Sequence, residues 1–332
     1  MQDVPRGGGG RAEVAPDAVA ETPHEAGDVH HSVLLPRTTG ELVEAVVPYV
    51  RAGLARGDAV QVNLVARRVA DVEAALGADA ERVCFTDTDA WQPSPGRRLR
   101  ALEDALAAVR AQGGHLRLVG ECAWPIGMPA ALVAEWERYD AVLNEALAGE
   151  PIELLCVYDA ASLPAAVLEH AARLHPEHGV APASPNGSVV GAATLAAELA
   201  PEALAVPGGA EAVSGSIRPP AGRAFVRSTS LFAQLDDAVR QDLLVMVSEL
   251  VTNAWRAAAS SVGIAFWRAA HGLVLQVDDD GTGLGDLLAG YRRPPTSAEG
   301  GRGLWIIRQL ADAVEVASSP GRTSLRAHVA RP

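Results

Sequence analysis

The sequence predicts two domains of mixed helix and sheet, an α/β domain followed by an α+β domain built as an α/β sandwich. Short β-rich runs alternate with longer helical stretches over residues 30–178, which is typical of a mainly parallel sheet with helices on both faces. Residues 215–332 instead place helices around two pairs of strands, which predicts helices on one face of a mixed sheet. The length of 332 residues is enough for two such domains.

Composition predicts where the domains begin and end. Residues 1–27 are rich in glycine and proline with scattered charge, and we expect a disordered tail there. The first domain then spans residues 28–178. Residues 179–214 are rich in Pro, Gly, Ala and Ser, which predicts a linker with one helical stretch at 194–204. The second domain spans residues 215–332.

Hydrophobic periodicity predicts the elements of the first domain. Apolar runs of strand length lie at residues 31–35, 59–65, 82–85, 116–120 and 152–158. Helical periodicity lies at residues 41–54, 69–76, 97–111 and 130–147. Pro48 falls inside the first of these helices and is expected to kink or break it, because proline lacks the amide hydrogen that an interior position needs.

The same periodicity predicts the helices and strands of the second domain. Helices are predicted at residues 223–231, 236–259 and 304–311, the first of them after Pro219 and Pro220. Strands are predicted at residues 262–268, 272–278, 313–318 and 324–329. A loop over residues 291–300 separates the two strand pairs.

The composition excludes several classes of protein. The chain contains no lysine, which excludes a P-loop, a eukaryotic-type protein kinase and Schiff-base chemistry. The net charge of -13 argues against nucleic acid as a partner. No apolar run is long enough to cross a bilayer.

The number and placement of the cysteines indicate the redox state of the compartment in which the chain folds. Cys84, Cys122 and Cys156 each lie in or beside apolar runs without a CxxC pair, and we expect three buried free thiols. The odd count, with no recognisable signal peptide, predicts a reducing cytoplasm.

Three short motifs in the last third of the chain predict a nucleotide site. Glu249 and Asn253 lie four residues apart in a helical segment, so both side chains point from one face. An Asp-x-Gly-x-Gly turn follows at Asp279, whose spacing selects it over its two aspartate neighbours. A second glycine turn, Gly301-Arg302-Gly303-Leu304, leads into an apolar helix. A carboxylate and an amide oxygen beside two glycine turns suit hydrated Mg²⁺ carrying a nucleotide triphosphate.

These motifs resemble the N, G1 and G2 boxes of GHKL ATPases, and their residues are most similar to those of bacterial anti-sigma-factor serine kinases. The resemblance implies that Glu249 is the general base, that Asn253 holds Mg²⁺ and that Asp279 binds the adenine amino group of ATP. It makes the loop at 291–300 the mobile lid over ATP. The remaining nucleotide contacts it implies are Gly281, Gly283, Gly301, Arg302, Gly303, Leu304 and Thr323.

The same resemblance implies partners. These are a sigma factor, which the chain would sequester, and a STAS-type antagonist protein, which it would phosphorylate on serine or threonine. Two alternatives stay open: an ATP-binding module without phosphoryl transfer, and the ATPase half of a histidine-kinase-like relay. A homodimer also stays open.

The first domain resembles the MEDS sensory domain, a RecA/KaiC-like module without a working P-loop. The residues that carry the match are 31–35, 120–125 and 156–159. Glu121 and Asp159 are expected at the carboxyl ends of strands, where α/β folds bind small ligands. His170 is interpreted as structural rather than as a phospho-acceptor, and His175 and His178 lack the partners of a convincing metal site.

Overall fold

The structure is a computed structural model that describes residues 30–88, 94–122, 128–180, 183–294 and 301–330. Three predictions lie outside the described residues: the tail at 1–27, residues 123–125 of the MEDS-like motif, and residues 295–300 of the lid loop.

The first domain is built on a mainly parallel sheet. In the described chain its strands are β1 (His30–Leu34), β2 (Ala59–Leu64), β3 (Cys84–Asp87), β4 (Leu116–Glu121), β5 (Ile152–Val157), β6 (Glu177–His178) and β7 (Ser184–Pro185). Their order is β3-β2-β4-β5-β1-β6-β7, and the β6–β7 pair alone among these pairings is antiparallel. The parallel α/β prediction is confirmed.

Helices cover both faces of this sheet. They are α1 (Thr39–Arg56), α2 (Ala66–Leu76), α3 (Pro95–Ala111), α4 (Ala130–Ala146), α5 (Ala165–Leu174) and α6 (Ala192–Glu198). Strand β5 shows the two faces by its alternation, because successive side chains point to opposite sides. Leu154 and Cys156 join the core under α3, α4 and α5, whereas Leu155 and Val157 join the core under α1 and α2.

Helix α1 corrects the expectation at Pro48. The helix runs unbroken for 18 residues with the proline inside it. Leu42, Val46 and Val50 are fully buried on its inner face, so packing of this stripe offsets the hydrogen bond that the proline cannot make. Among the described helices, none combines the length and apolarity needed to cross a membrane.

The second domain is a layer of helices on an antiparallel sheet. Its helices are α7 (Pro219–Ser228), α8 (Asp237–Arg256) and α9 (Arg302–Leu310). Its strands are β8 (Glu211–Gly215), β9 (Val262–Ala269), β10 (Gly272–Asp279), β11 (Ala313–Ser319) and β12 (Arg322–Val329). The order is β11-β12-β10-β9-β8 with every described pairing antiparallel, which corrects the predicted mixed sheet. Helix α7 starts at the prolines themselves, the preferred first position of a helix.

The segment predicted as linker carries ordered elements of both domains. It contributes β7 and α6 to the first domain and β8 to the second. Arg138 of α4 donates to the carbonyl of Leu199 at 3.0 Å, and Gln276 of β10 donates to the carbonyl of Leu204 at 2.9 Å. The predicted helix at 194–204 is shorter, ending at Glu198, because Pro201 follows within three residues.

The two domains pack against each other through α3 and α9 and through α4 and β11. Glu135 of α4 and Arg308 of α9 form a buried ion pair with a 2.5 Å contact across this interface. Tyr291, the first residue of the predicted lid loop, is 1% exposed and lies in the core of the first domain. The near end of that loop is therefore anchored on the other domain.

Candidate functional site

Helix α8 places Glu249 and Asn253 at the edge of the second domain's core. Its apolar positions recur at three and four residues, and these side chains are buried against the sheet. Glu249 and Asn253 lie beside that stripe and are half-buried. Within the described residues no hydrogen bond engages the Glu249 carboxylate, and the buried Nδ2 of Asn253 has no partner.

Helix α9 begins directly over this pair. A Cβ added at Gly303 would lie 2.8 Å from Oε2 of Glu249 and 3.0 Å from Oδ1 of Asn253. Only glycine leaves room for both functional side chains at this position. Gly301, the N-cap residue of this helix, has a left-handed φ of 77°, and no described side chain caps the helix. The first-turn amides of α9 thus form a site where phosphate oxygens are well accommodated.

The three consecutive aspartates after β10 differ in their surroundings. Asp278 accepts hydrogen bonds from Ser324 at 2.5 Å and Gln276 at 2.8 Å. Asp280 accepts from the backbone of Ser260 and Ser261 and from the Ser260 hydroxyl. Asp279 accepts only the Gly281 amide at 2.9 Å among the described residues, through Oδ1, which leaves Oδ2 for a ligand donor.

The electrostatics of these groups follow from the same contacts. Burial raises the pKa of Asp279, opposed by the Gly281 amide and assisted by the charges of Asp280 and Asp278. Hydrogen bonds from the Ser260 hydroxyl and from the backbone amides of Ser261 and Ser260 lower the pKa of Asp280 to about 2. The two aspartates therefore differ in their contacts: both oxygens of Asp280 accept hydrogen bonds from Ser260 and Ser261, whereas Asp279 keeps Oδ2 without a hydrogen-bond partner among the described residues.

The glycines of the first turn allow close backbone approach. A Cβ at Gly281 would lie 2.5 Å from the carbonyl oxygen of Ala257, at the end of α8. The next residue, Thr282, donates its amide to that same carbonyl at 2.8 Å. Gly283 has φ of 93°, which favours glycine. These contacts join the turn to the end of the helix that carries Glu249 and Asn253.

The remaining predicted nucleotide residues lie around this framework. Thr323 is buried and pairs across the sheet with Asp279. Arg302 is exposed and Leu304 half-buried on the first turn of α9. Sequence reasoning missed Ser318, whose hydroxyl accepts the Leu284 amide at 2.7 Å.

The donor set suits Mg²⁺ with a nucleotide. An amide oxygen is a hard ligand of the kind Mg²⁺ takes alongside water and phosphate. Asn253 offers that oxygen, and its buried Nδ2, which has no partner in the described chain, is a donor available to a phosphate oxygen of the nucleotide. The space kept open by Gly303 lies between this amide, the Glu249 carboxylate and the helix amides. The residues present therefore fit the group that the sequence predicts.

Glu121 and Asp159, the predicted ligand zone of the first domain, follow adjacent parallel strands as expected. Both contact one buried arginine, Arg68 of α2, which sequence reasoning missed. Burial raises the pKa of Glu121, against the opposing effects of the Val65 amide and Arg68. The two carboxylates are engaged in an internal ion cluster.

The histidines and cysteines differ from expectation in part. His170 lies on the single ten-residue helix α5 and contacts Glu137 at 2.5 Å. All three cysteines are free thiols, but Cys84 is exposed and Cys122 half-buried, so only Cys156 is buried as predicted. The expectation for His175 was wrong, because it lies in a cluster of potential metal ligands described below.

Comparison with known families matches both halves of the chain. Residues 30–176 match MEDS, the MEthanogen/methylotroph, DcmR Sensory domain. Residues 217–329 match the histidine kinase-like ATPase domain. Curated proteins searched with the chain return no match. These matches confirm the predicted MEDS domain and the predicted histidine kinase-like ATPase domain, and together the two domains support a kinase-like regulatory ATPase with an N-terminal sensory domain.

Proposed function

We propose that this chain is an ATP-dependent anti-sigma regulatory factor, a serine/threonine protein kinase that phosphorylates a STAS-type antagonist in the cytoplasm. The observation that carries the proposal is the contact of Gly303 with Glu249 and Asn253. It joins a candidate base, a candidate Mg²⁺ ligand and a phosphate-binding helix end in one place.

Nucleotide binding is assigned to three features. The free Oδ2 of Asp279 accepts the adenine amino group. The first-turn amides at Gly303 and Leu304 donate to phosphate oxygens, favoured by the positive end of the α9 dipole. Asn253 holds Mg²⁺ through its amide oxygen. Bound Mg²⁺ supplies charge neutralisation on the phosphates during transfer.

Glu249 is assigned to the proton transfer. Its carboxylate is not engaged by any hydrogen bond in the described residues, and it points to the space beside Gly303. A serine or threonine hydroxyl entering that space gives up its proton to this carboxylate as its oxygen attacks the γ-phosphorus, the bond from that phosphorus to the β–γ bridging oxygen breaks, and ADP leaves. The resemblance to anti-sigma kinases supports the STAS protein as acceptor and the sigma factor as the second partner.

The deciding experiment measures transfer of γ-labelled phosphate from ATP to a STAS protein encoded in the same genome. Glu249→Gln should keep ATP affinity and lose transfer by about 10²- to 10⁴-fold, the usual contribution of base catalysis. The matched control is Asp237→Asn, about 18 Å away along the same helix, whose side chain is 92% exposed. It should transfer at the wild-type rate.

Two alternatives give different outcomes in the same assay. If the wild-type chain binds ATP and no encoded STAS protein is labelled, the ATP-binding module replaces the kinase. If a histidine or a response-regulator aspartate is labelled instead, the relay replaces it; lability in acid identifies a phosphohistidine, and lability in alkali identifies a phosphoaspartate.

A further inference from the structure

Four buried side chains of the first domain converge on one point. They come from separate elements: His31 from β1, Asp140 from α4, Cys156 from β5 and His175 from the end of α5. One potential ligand atom from each lies within 4.8 Å of all the others, and all four residues are buried. No part of the proposed kinase chemistry uses them.

Hydrogen bonds orient both imidazoles for metal binding. Asn144 donates its amide to the carbonyl of Leu174 at 2.7 Å, so its oxygen faces His31 and accepts the Nδ1 proton at 2.9 Å. The Nδ1 of His175 donates to the carbonyl of Ala171 at 2.7 Å. Both Nε2 lone pairs therefore point into the cluster. A histidine that donates its far nitrogen to an oxygen is the usual arrangement around protein metals.

The spacing matches the edges of a tetrahedron. Metal bonds of 2.0–2.3 Å in tetrahedral geometry place neighbouring donor atoms about 3.3–3.8 Å apart. Nε2 of His31 lies 3.2 Å from the Cys156 sulfur and 3.8 Å from Oδ1 of Asp140. That carboxylate oxygen lies 3.7 Å from Nε2 of His175 and 4.0 Å from the Cys156 sulfur. These four of the six donor–donor distances lie within a few tenths of an ångström of the tetrahedral edges, and the other two are no longer than 4.8 Å.

One nitrogen of the cluster is unsatisfied. Nε2 of His175 is buried and has no hydrogen-bond partner among the described residues. A buried polar atom without a partner is rare and costs roughly 1–3 kcal/mol. A metal bond at this nitrogen would satisfy it.

We propose that His31, Asp140, Cys156 and His175 form a binding site for one divalent first-row transition-metal ion, Zn²⁺ by preference. Two neutral imidazoles, a carboxylate and a thiolate together carry a charge of −2, so their complex with a divalent ion is neutral, which suits a buried position. Two nitrogens, one oxygen and one sulfur are donors that Zn²⁺ takes in four-coordinate sites. On binding, the Cys156 thiol releases its proton to solvent and its sulfur bonds to the ion, with no change of oxidation state.

The surroundings support this assignment. Tyr158 donates its hydroxyl to Oδ2 of Asp140 at 2.6 Å, which leaves Oδ1 directed at the cluster. A cavity of about 100 Å³ lined by Gln61, Asn63 and Cys122 reaches the Cys156 side of the site and offers a route of entry.

The experiment uses the full chain, purified under reducing conditions, stripped with a chelator and titrated with Co²⁺ and Zn²⁺. We expect one ion per chain by elemental analysis. Co²⁺ should give visible ligand-field bands of a tetrahedral site and a near-ultraviolet thiolate-to-cobalt band, and Zn²⁺ should displace it.

The variants separate a ligand role from a folding role. Cys156→Ser should lose the thiolate band, whereas Cys84→Ser, at an exposed free thiol, should keep it. Asn144→Ala removes the partner of His31 without touching a ligand and should weaken metal binding about 10- to 100-fold. Absence of stoichiometric metal in the folded wild-type chain, or a thiolate band that survives Cys156→Ser, overturns the proposal. Neither outcome bears on ATP binding or phosphoryl transfer.

Discussion

At the residue scale, the three aspartates after β10 make the adenine assignment testable. Asp279→Asn replaces the ionised acceptor by an amide, and about 2 kcal/mol of ATP binding, roughly 30-fold in Kd, should be lost. Titration calorimetry measures it. Asp278→Asn is the control, because Asp278 accepts hydrogen bonds from the Ser324 and Gln276 side chains and is not assigned to the adenine. Equal ATP affinity in Asp279→Asn and the wild type would remove Asp279 from the site.

Gly303 gives a second residue-scale prediction, in which function changes and stability does not. A Cβ there meets the ends of two flexible side chains, Glu249 and Asn253. They can turn aside at little cost, so Gly303→Ala should unfold in urea within about 0.5 kcal/mol of the wild type. It should lose most phosphoryl transfer, because the displaced groups no longer reach the reactants.

The control for this variant is Gly285→Ala, where an added Cβ has open space in the described structure. It should keep both stability and transfer. If Gly303→Ala also keeps wild-type transfer, the close contact between α8 and α9 is not what positions the base.

The sequence predicted those residues whose spacing is local. Glu249 and Asn253 are one helical turn apart, and each glycine turn is a continuous run of sequence. Each motif can therefore be recognised without knowledge of the tertiary structure. Arg68 and the metal-capable cluster were missed for the opposite reason. The cluster brings together His31 and His175, which are far apart in sequence and meet only when the sheet closes.

At the element scale, periodicity located most helices and strands to within a few residues, and the segment at 179–214 shows where it failed. Its Pro, Gly and Ala content is typical of a linker, yet β8 pairs with β9 along five residues. The stability of such a short strand comes from the neighbouring edge and not from its own propensity. Composition alone does not show that this strand edge is available for pairing.

The base of the lid loop gives an element-scale prediction. Gly290 has φ of 86°, and a Cβ there would lie 2.5 Å from the carbonyl carbon of Leu304 and 2.7 Å from the amide of Trp305. These are backbone atoms of α9 and cannot turn aside. Gly290→Ala should therefore cost about 2 kcal/mol or more in urea unfolding.

Gly187→Ala is the matched control, since its Cβ would meet open space at an ordinary φ. It should change stability by less than about 0.5 kcal/mol. Equal unfolding midpoints for the two variants would mean that the loop base is not held against α9.

At the scale of the whole molecule, a buried ion pair that the sequence did not predict lies between the two domains. Arg308 is 3% exposed and stacks over the Tyr291 ring at 3.9 Å, while its guanidinium contacts Glu135 of the other domain. Helix α4 thus carries Glu135 at the interface and Asp140 in the metal-capable cluster. The sequence places Glu135 in an ordinary helical pattern, because its partner is 173 residues away.

Removing one member of this pair should lower the free energy of unfolding. Glu135→Ala leaves the Arg308 guanidinium buried without its anion, at a cost of about 3–5 kcal/mol. Unfolding in urea should show this loss, and Glu145→Ala, at an exposed position of the same helix, should not. Glu135 also pairs with the buried Arg138 at 3.3 Å. The double variant Glu135→Ala with Arg308→Met should therefore recover part of the loss, because it removes one of the two guanidinium charges that Glu135 neutralises. If the single variant is as stable as the wild type, water or another anion reaches Arg308, and the interface opens in solution. If the single variant is destabilised and the double variant is no better, the cost comes from lost packing or from Arg138, and the Glu135–Arg308 pair does not hold the two domains together.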